Sequence, residues 1–133
     1  MNRRKAREYA FILLFQYKFQ PNDMQDILAD FFAQYDAGEQ ADYIQDVVEG
    51  TVKHIQEIDA KISEFSKGWS IDRISAVSIA VMRLCVYELK YCMSIPGNVS
   101  VNEAVSLVRE YEGEEAAPFV NGILDNIKKI LRV

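Results

Sequence analysis

The stretch that most constrains the fold runs from residue 74 to 92, ISAVSIAVMRLCVYELKYC. Wound into a helix, it sets Ile74, Val77, Ala80, Val81, Leu84, Val86, Tyr87, Leu89 and Tyr91 on nearly every side and leaves only a thin polar seam. A helix apolar all round is a buried one. A membrane span needs roughly 20 apolar residues without charge, and Arg83 and Glu88 interrupt this stretch before that length. It is therefore expected to be the central helix of a soluble helical domain, sheathed by amphipathic helices on either side.

The chain has 133 residues, half of them apolar, which suits one domain with one core; a domain of that size buries roughly two thirds of its unfolded surface. Cys85 and Cys92 lie seven residues apart in the central helix, a spacing that favours two small buried thiols over a bridge. That points to a reducing compartment. The first residues carry cations but no apolar run of the signal-peptide kind, so a cytoplasmic location is expected.

The net charge of −5 conceals a polarity. Residues 1–18 hold Arg3, Arg4, Lys5, Arg7 and Lys18 against Glu8 alone, whereas residues 19–64 hold eleven acids against Lys53 and Lys61. From residue 65 onward the charges balance. Such asymmetry suggests a chain that meets a polyanion at one end without being sticky to it everywhere.

The first helix is expected from Asn2, a good N-cap, to about Phe19, because Ala6, Tyr9, Ala10, Leu13 and Tyr17 recur at helical spacing and Pro21 follows. Its first turn breaks a local rule: Arg3, Arg4 and Lys5 put cations on the positive end of the helix dipole. Such breaks are expected at functional sites, and phosphates are the natural compensation at a helix start. A frayed, solvated basic tail is the other reading of the same residues.

Asp23 is placed to cap a second helix, with Met24, Ile27, Leu28, Phe31, Phe32 and Tyr35 as its apolar positions and Gly38 as its stop. A third is expected from about Ala41 to Ser66, on the stripe Ile44, Val47, Val48, Val52, Ile55, Ile58, Ile62 and Phe65. Ser70 or Asp72 starts a single turn before Ser75 caps the central helix. After the turn signal SIPGN at 94–98, Ser100 and Glu103 form a capping box for the next helix, which Gly113 closes. Pro118 suits the first turn of a last helix that turns Val120, Ile123, Leu124, Ile127 and Leu131 inward. Lys128, Lys129 and Arg132 complement the dipole of its C-terminal end. The expected fold is all-α: a bundle of about seven helices around a central buried one, with no internal repeat or dividing linker.

The inventory for catalysis is poor. His54 is the single histidine and reads as an ordinary surface or boundary residue. Two cysteines at i, i+7 lack chelating spacing, and neither a Gly-rich dinucleotide fingerprint nor a P-loop occurs. No metal, cofactor or enzymatic activity is expected. Glu112, Glu114 and Glu115 form a solvated acidic loop. Arg83, inside the central helix, needs a partner; Glu88 at i+5 is badly placed, so Glu103 or Asp125 on another helix is the expected mate.

Taken together, RRKAREYAFILLFQ at 3–16, the approach from Trp69 to Ile74, AVMRLCVYEL at 80–89, IPGNVSVNEAVSLV at 95–108 and FVNGILD at 119–125 resemble the NusB family of bacterial transcription antitermination factors. The resemblance implies an all-helical protein with two subdomains, here about 1–66 and 67–133 of a single domain. It also implies binding of boxA-type single-stranded RNA together with ribosomal protein S10 (NusE), in RNA polymerase complexes that transcribe ribosomal RNA operons. The family's arginine-rich motif falls on Arg3, Arg4, Lys5 and Arg7, its helix-1 aromatic on Phe15, and its RNA-proximal loop on Glu115 and Phe119. Single strands are read by stacking and base edges, with cations on the backbone; Phe119 either stacks on a base or starts the last helix as a core residue. Asn121 and Gly122 read as helix-packing residues, Gly122 permitting close approach.

Where relatives often carry a charged pair after the position of Val77, this chain has Ser78 and Ile79, so charge contacts made there do not carry over; Pro118 is a further departure. The acidic excess of residues 19–64 suits a basic ribosomal protein. Two other readings share these residues: a detached relative of the NusB-like domain of an rRNA methyltransferase, and a helical protein-interaction module. Monomer and homodimer are both open, with Phe11 or Phe119 as an aromatic for RNA or a second copy.

Overall fold

Asn2 opens the molecule as expected: its side chain accepts a hydrogen bond from the Lys5 amide at 2.8 Å, satisfying one of the orphan donors of a helix start. In this computed structural model, which describes residues 1–21 and 23–132, the helix that follows, α1, spans Arg3–Phe19. Then come α2 (Met24–Gln34), α3 (Ala41–Lys53), α4 (Ile55–Phe65), α5 (Ala76–Tyr91), α6 (Gly97–Tyr111) and α7 (Ala117–Leu131), with 3₁₀ turns at Gly38–Gln40 and Ile71–Arg73. The described residues hold these seven α-helices and no strand.

The expected central helix is α5. Ser75 caps it, accepting from the Ser78 amide at 3.1 Å, and every residue from Ser78 to Leu89 is buried. It packs against α1, α3, α4, α6 and α7, which is why no face of it is polar. Fully burying one Leu, Ile or Val side chain contributes about 1.5–3 kcal/mol. Ile79, Leu84 and Leu89 are therefore among the residues on which the core depends.

The predicted third helix is two. The ladder breaks at His54, which ends α3 and precedes α4 with φ −106° and ψ 22°. The apolar stripe runs through the break, so periodicity gives no sign of it; the break lets α3 pack on α1 while α4 packs on α7. His54 stacks on Tyr91 with ring centroids 4.5 Å apart. Nearby, Gly50 permits a close approach: a Cβ there would sit 2.3 Å from the Tyr87 ring, whose hydroxyl donates to Asp46 at 3.0 Å.

Other local expectations also meet tertiary structure. Asp23 precedes α2 but makes no side-chain cap bond. The start of α6 lies one turn earlier than the capping box implies, at Gly97. Ser100 is thus inside the helix and buried, donating to Glu88 at 2.8 Å. Arg83 pairs with neither Glu103 nor Asp125 but with Asp59 of α4, through two bonds of 2.9 Å, because its side of α5 faces α4. Asp125 instead serves Lys128 and Lys129 on its own helix, at 3.5 and 3.3 Å.

Pro118 does fall in the first turn of α7. Arg132, expected to serve the dipole of its own helix, reaches across to α5. It donates to the carbonyls of Leu89 at 2.8 Å and of Glu88 and Cys92 at 3.2 Å. These lie at the end of the central helix; Glu88 and Cys92 also accept from the amides of Cys92 and Ile95, while Leu89 is among the carbonyls that a helix end leaves without an intrahelical partner. Gly122 permits no close approach: it is exposed, and a Cβ added there meets nothing within 4 Å.

Candidate nucleic-acid interface

Although the start of α1 is cationic, its cations are already engaged. Arg3 donates to Gln40 at 2.7 Å, and its guanidinium lies 4.0 Å from the centroid of the Tyr43 ring, within cation–π range. Arg4 forks onto Glu103 of α6 at 3.1–3.3 Å, with 76% of its side chain still exposed. Lys5 pairs with Glu8 at 2.9 Å. Glu8 also accepts from the hydroxyl of Tyr111 at the end of α6. That hydroxyl, then Lys5, hold the Glu8 carboxyl below its ordinary value, and in return Tyr111 is pushed up to about 12.

Arg7 differs from the other three cations in facing inward. It is buried, and its guanidinium forks onto Glu88 of α5 at 3.0 and 3.2 Å. The Glu88 carboxylate also accepts from the Tyr43 hydroxyl of α3 and from Ser100 of α6. One carboxylate, 1% exposed, thereby joins α1, α3 and α6 to the central helix. Burial works to lower the Arg7 pKa, but the Glu88 hydrogen bond and charge outweigh it and raise it. Burial first, then Glu88, drive the Tyr43 hydroxyl upward. The sequence does carry a signal for Arg7: it shares the helical face of Ala10, Phe11 and Leu14, at i+3, i+4 and i+7, all buried.

Arg4, Lys5 and Arg7 line an open cleft of about 410 Å³ between α1 and α6, with Glu8, Glu103 and Glu110 on the same walls. Three cations of the α1 start, Arg4, Lys5 and Arg7, therefore share their surroundings with Glu8, Glu88, Glu103 and Glu110. The break in the dipole rule thus has a structural compensation that the sequence does not display, since Arg4 and Glu103 are 99 residues apart.

The aromatic candidates lie elsewhere. Phe15 is half-buried on α1, its ring 6.4 Å from Phe11 and 5.3 Å from Phe19. Phe11 is not exposed: it is 2% accessible and lies 4.9 Å from Tyr111. Phe119, 37% exposed, meets Trp69 edge to face at 6.2 Å, and Arg73 lies 5.6 Å over Trp69. This pair borders a second depression of about 310 Å³, with Ile74, Ser78 and Glu112 around it. Glu112 folds back to accept from Ser75 and Ser78, Glu114 pairs with Arg109 at 3.1 Å, and Glu115 stays exposed before α7. Ile79 is buried. The cations and Phe119 therefore line two different depressions, joined by the last turn of α6, where Tyr111 reaches Glu8 and Glu112 reaches α5. Glu8, Glu103, Tyr111 and Trp69 are the additions that sequence reasoning missed.

Known proteins resemble this chain over nearly its whole length. A transcription antitermination protein NusB of Acetivibrio thermocellus is 43% identical over 98% of this chain and 90% of its own length. One of a Thermoanaerobacter species is 38% identical over 93% and 88%. Among solved structures, NusB of T. maritima matches with a TM-score of 0.89 and 34% identity over 97% of this chain and 92% of that one. A chain from the crystal structure of antitermination factors NusB and NusE in complex with dsRNA matches with a TM-score of 0.86 and 30% identity, over 98% and 99%. The model of the NusB family covers residues 4–129, from the forked Arg4 through the central helix to the last turns of α7, and the chain belongs to that family.

Proposed function

We infer that this chain is a transcription antitermination factor that binds boxA-type single-stranded RNA together with ribosomal protein S10 (NusE), within the RNA polymerase complex that transcribes ribosomal RNA operons. The observation that carries this reading is the match, end to end, with a chain of a complex described as NusB, NusE and dsRNA. The RNA of that relative is double-stranded by its description; a single strand is favoured here because an exposed Phe119–Trp69 pair offers stacking surfaces. Arg3, Arg4 and Lys5 hold phosphates, Arg7 positions α1 from within, and Phe15, Glu115 and Phe119 lie along the RNA path.

The protein acts by binding rather than by catalysis, in the cytoplasm, and no described helix is long and apolar enough to cross a membrane. Residues 1–66 and 67–133 act as two subdomains; the packing of α1 on α2 and α3 and of α6 on α7 supports the division, while α4 packs across it on α5 and α7.

Titration of boxA RNA with and without S10, over a salt series, tests the reading. Three phosphate contacts on a single strand give a slope of log affinity against log salt of about −2. Reversing the charge of Arg3, Arg4 and Lys5 together flattens it. Absence of RNA binding both alone and with S10 overturns the assignment.

A further inference from the structure

The cleft between α1 and α6 poses a problem for any simple polyanion. Arg4 is forked onto Glu103, Lys5 onto Glu8, and Glu110 stands on the same wall. Phosphate can take the Nε–Nη2 edge of Arg4, the edge that Glu103 holds, only if Glu103 gives it up. That carboxylate is 20% exposed and lies 3.9 Å from the buried Arg7, whose own fork is committed to Glu88. A carboxylate left without its donor in a half-closed site is unfavourable, and repulsion from Glu8 and Glu110 adds to it. The exchange is favourable only if the ligand brings a hydrogen-bond donor along with its phosphate. A nucleobase with an exocyclic amino group does so; inorganic polyphosphate cannot, and uracil offers a single ring N–H and no amino group.

We propose that Glu103 is a specificity-determining residue: it withholds Arg4 from featureless polyanions and, once Arg4 has moved to phosphate, accepts a hydrogen bond from the amino edge of a base seated in the same cleft. This rests on the RNA-binding reading above and assigns the acidic wall of that site a role in it. The cleft, about 410 Å³ with the apolar Leu107 on its wall, presents a carboxylate acceptor, a guanidinium and an ammonium side by side. Those are the three groups that the edge and phosphate of one nucleotide need.

The test uses the full chain with S10 and measures the affinity of boxA RNA, of single-stranded oligocytidine and oligouridine of equal length, and of inorganic polyphosphate. Glu103→Gln frees Arg4 without changing side-chain shape. Polyphosphate and oligouridine are expected to bind about three- to five-fold more tightly, the scale of an exposed ion pair, while oligocytidine and boxA gain nothing or weaken. The wild-type preference for amino-bearing RNA then falls by at least that factor. Glu110→Gln removes an equal charge from the same wall outside the Arg4 fork, so it is expected to raise every affinity alike and leave the preference intact. If wild type binds boxA but Glu103→Gln shifts all four ligands equally, the inference fails and the RNA-binding reading stands. If wild type binds no RNA, both fail.

Discussion

Two ion pairs drawn from the same residue types sit about one helical turn apart and do opposite work. Arg7–Glu88 lies inside, with side chains 5% and 1% exposed, and two further hydroxyls complete the carboxylate's shell. Arg4–Glu103 lies at the cleft mouth with the arginine three-quarters exposed. Water screens the outer pair, so the fold loses little when it breaks. The inner pair has no water to fall back on, so removing either partner strands a charge. The contrast teaches that a cluster of cations is no measure of a binding surface. Burial sorts them, and here it assigns Arg7 to holding α1 in place while Arg3, Arg4 and Lys5 stay at the surface.

The largest effect that would break this comparison is at Glu88. Glu88→Ala leaves the buried Arg7 with only the 3.9 Å approach of Glu103 and is expected to cost about 3–5 kcal/mol, a large part of the roughly 5–15 kcal/mol that holds a domain together. Urea denaturation measures it. A loss below about 1 kcal/mol would mean that inner and outer pairs are energetically alike.

A smaller effect belongs to Glu8, whose carboxyl is held below its ordinary value of 4.5 by Tyr111 and Lys5. A depressed folded pKa stabilises the fold above the unfolded value and loses that contribution as pH falls through the folded one. Tyr111→Phe should therefore reduce stability by under about 1 kcal/mol at neutral pH and shrink the loss between wild type and variant as pH drops below 4.5. Melting temperatures from pH 7 to 3 would show the two curves converging.

The smallest stability effect is expected at Arg4. Arg4→Gln should leave the denaturation midpoint unchanged while reducing the salt slope of RNA binding by about 0.7, the contribution of one phosphate contact. A variant that destabilises the fold yet keeps the wild-type slope would reverse the roles given to the two arginines.

What was legible in the sequence was local or periodic. Asn2 and Ser75 cap by bonding the third residue onward, and the central helix announces its burial because it has no polar face. What was hidden involved partners far along the chain. Arg83 meets Asp59 rather than the acids proposed for it, the third helix divides at His54 without interrupting its apolar stripe, and Ser100 joins the Glu88 shell instead of capping. In the candidate site, the family motif located the cations, but the carboxylates that engage Arg7 and Arg4 lie on α5 and α6, and an ion pair across 99 residues leaves no spacing to read. Arg7 was the exception: its place on the face of Ala10, Phe11 and Leu14 already opposed solvent exposure.

Arg132 lends its guanidinium to the carbonyls that end α5, so the innermost helix is finished by a side chain at the far end of α7. The seating of α7 and the finish of the central helix therefore depend on one and the same side chain.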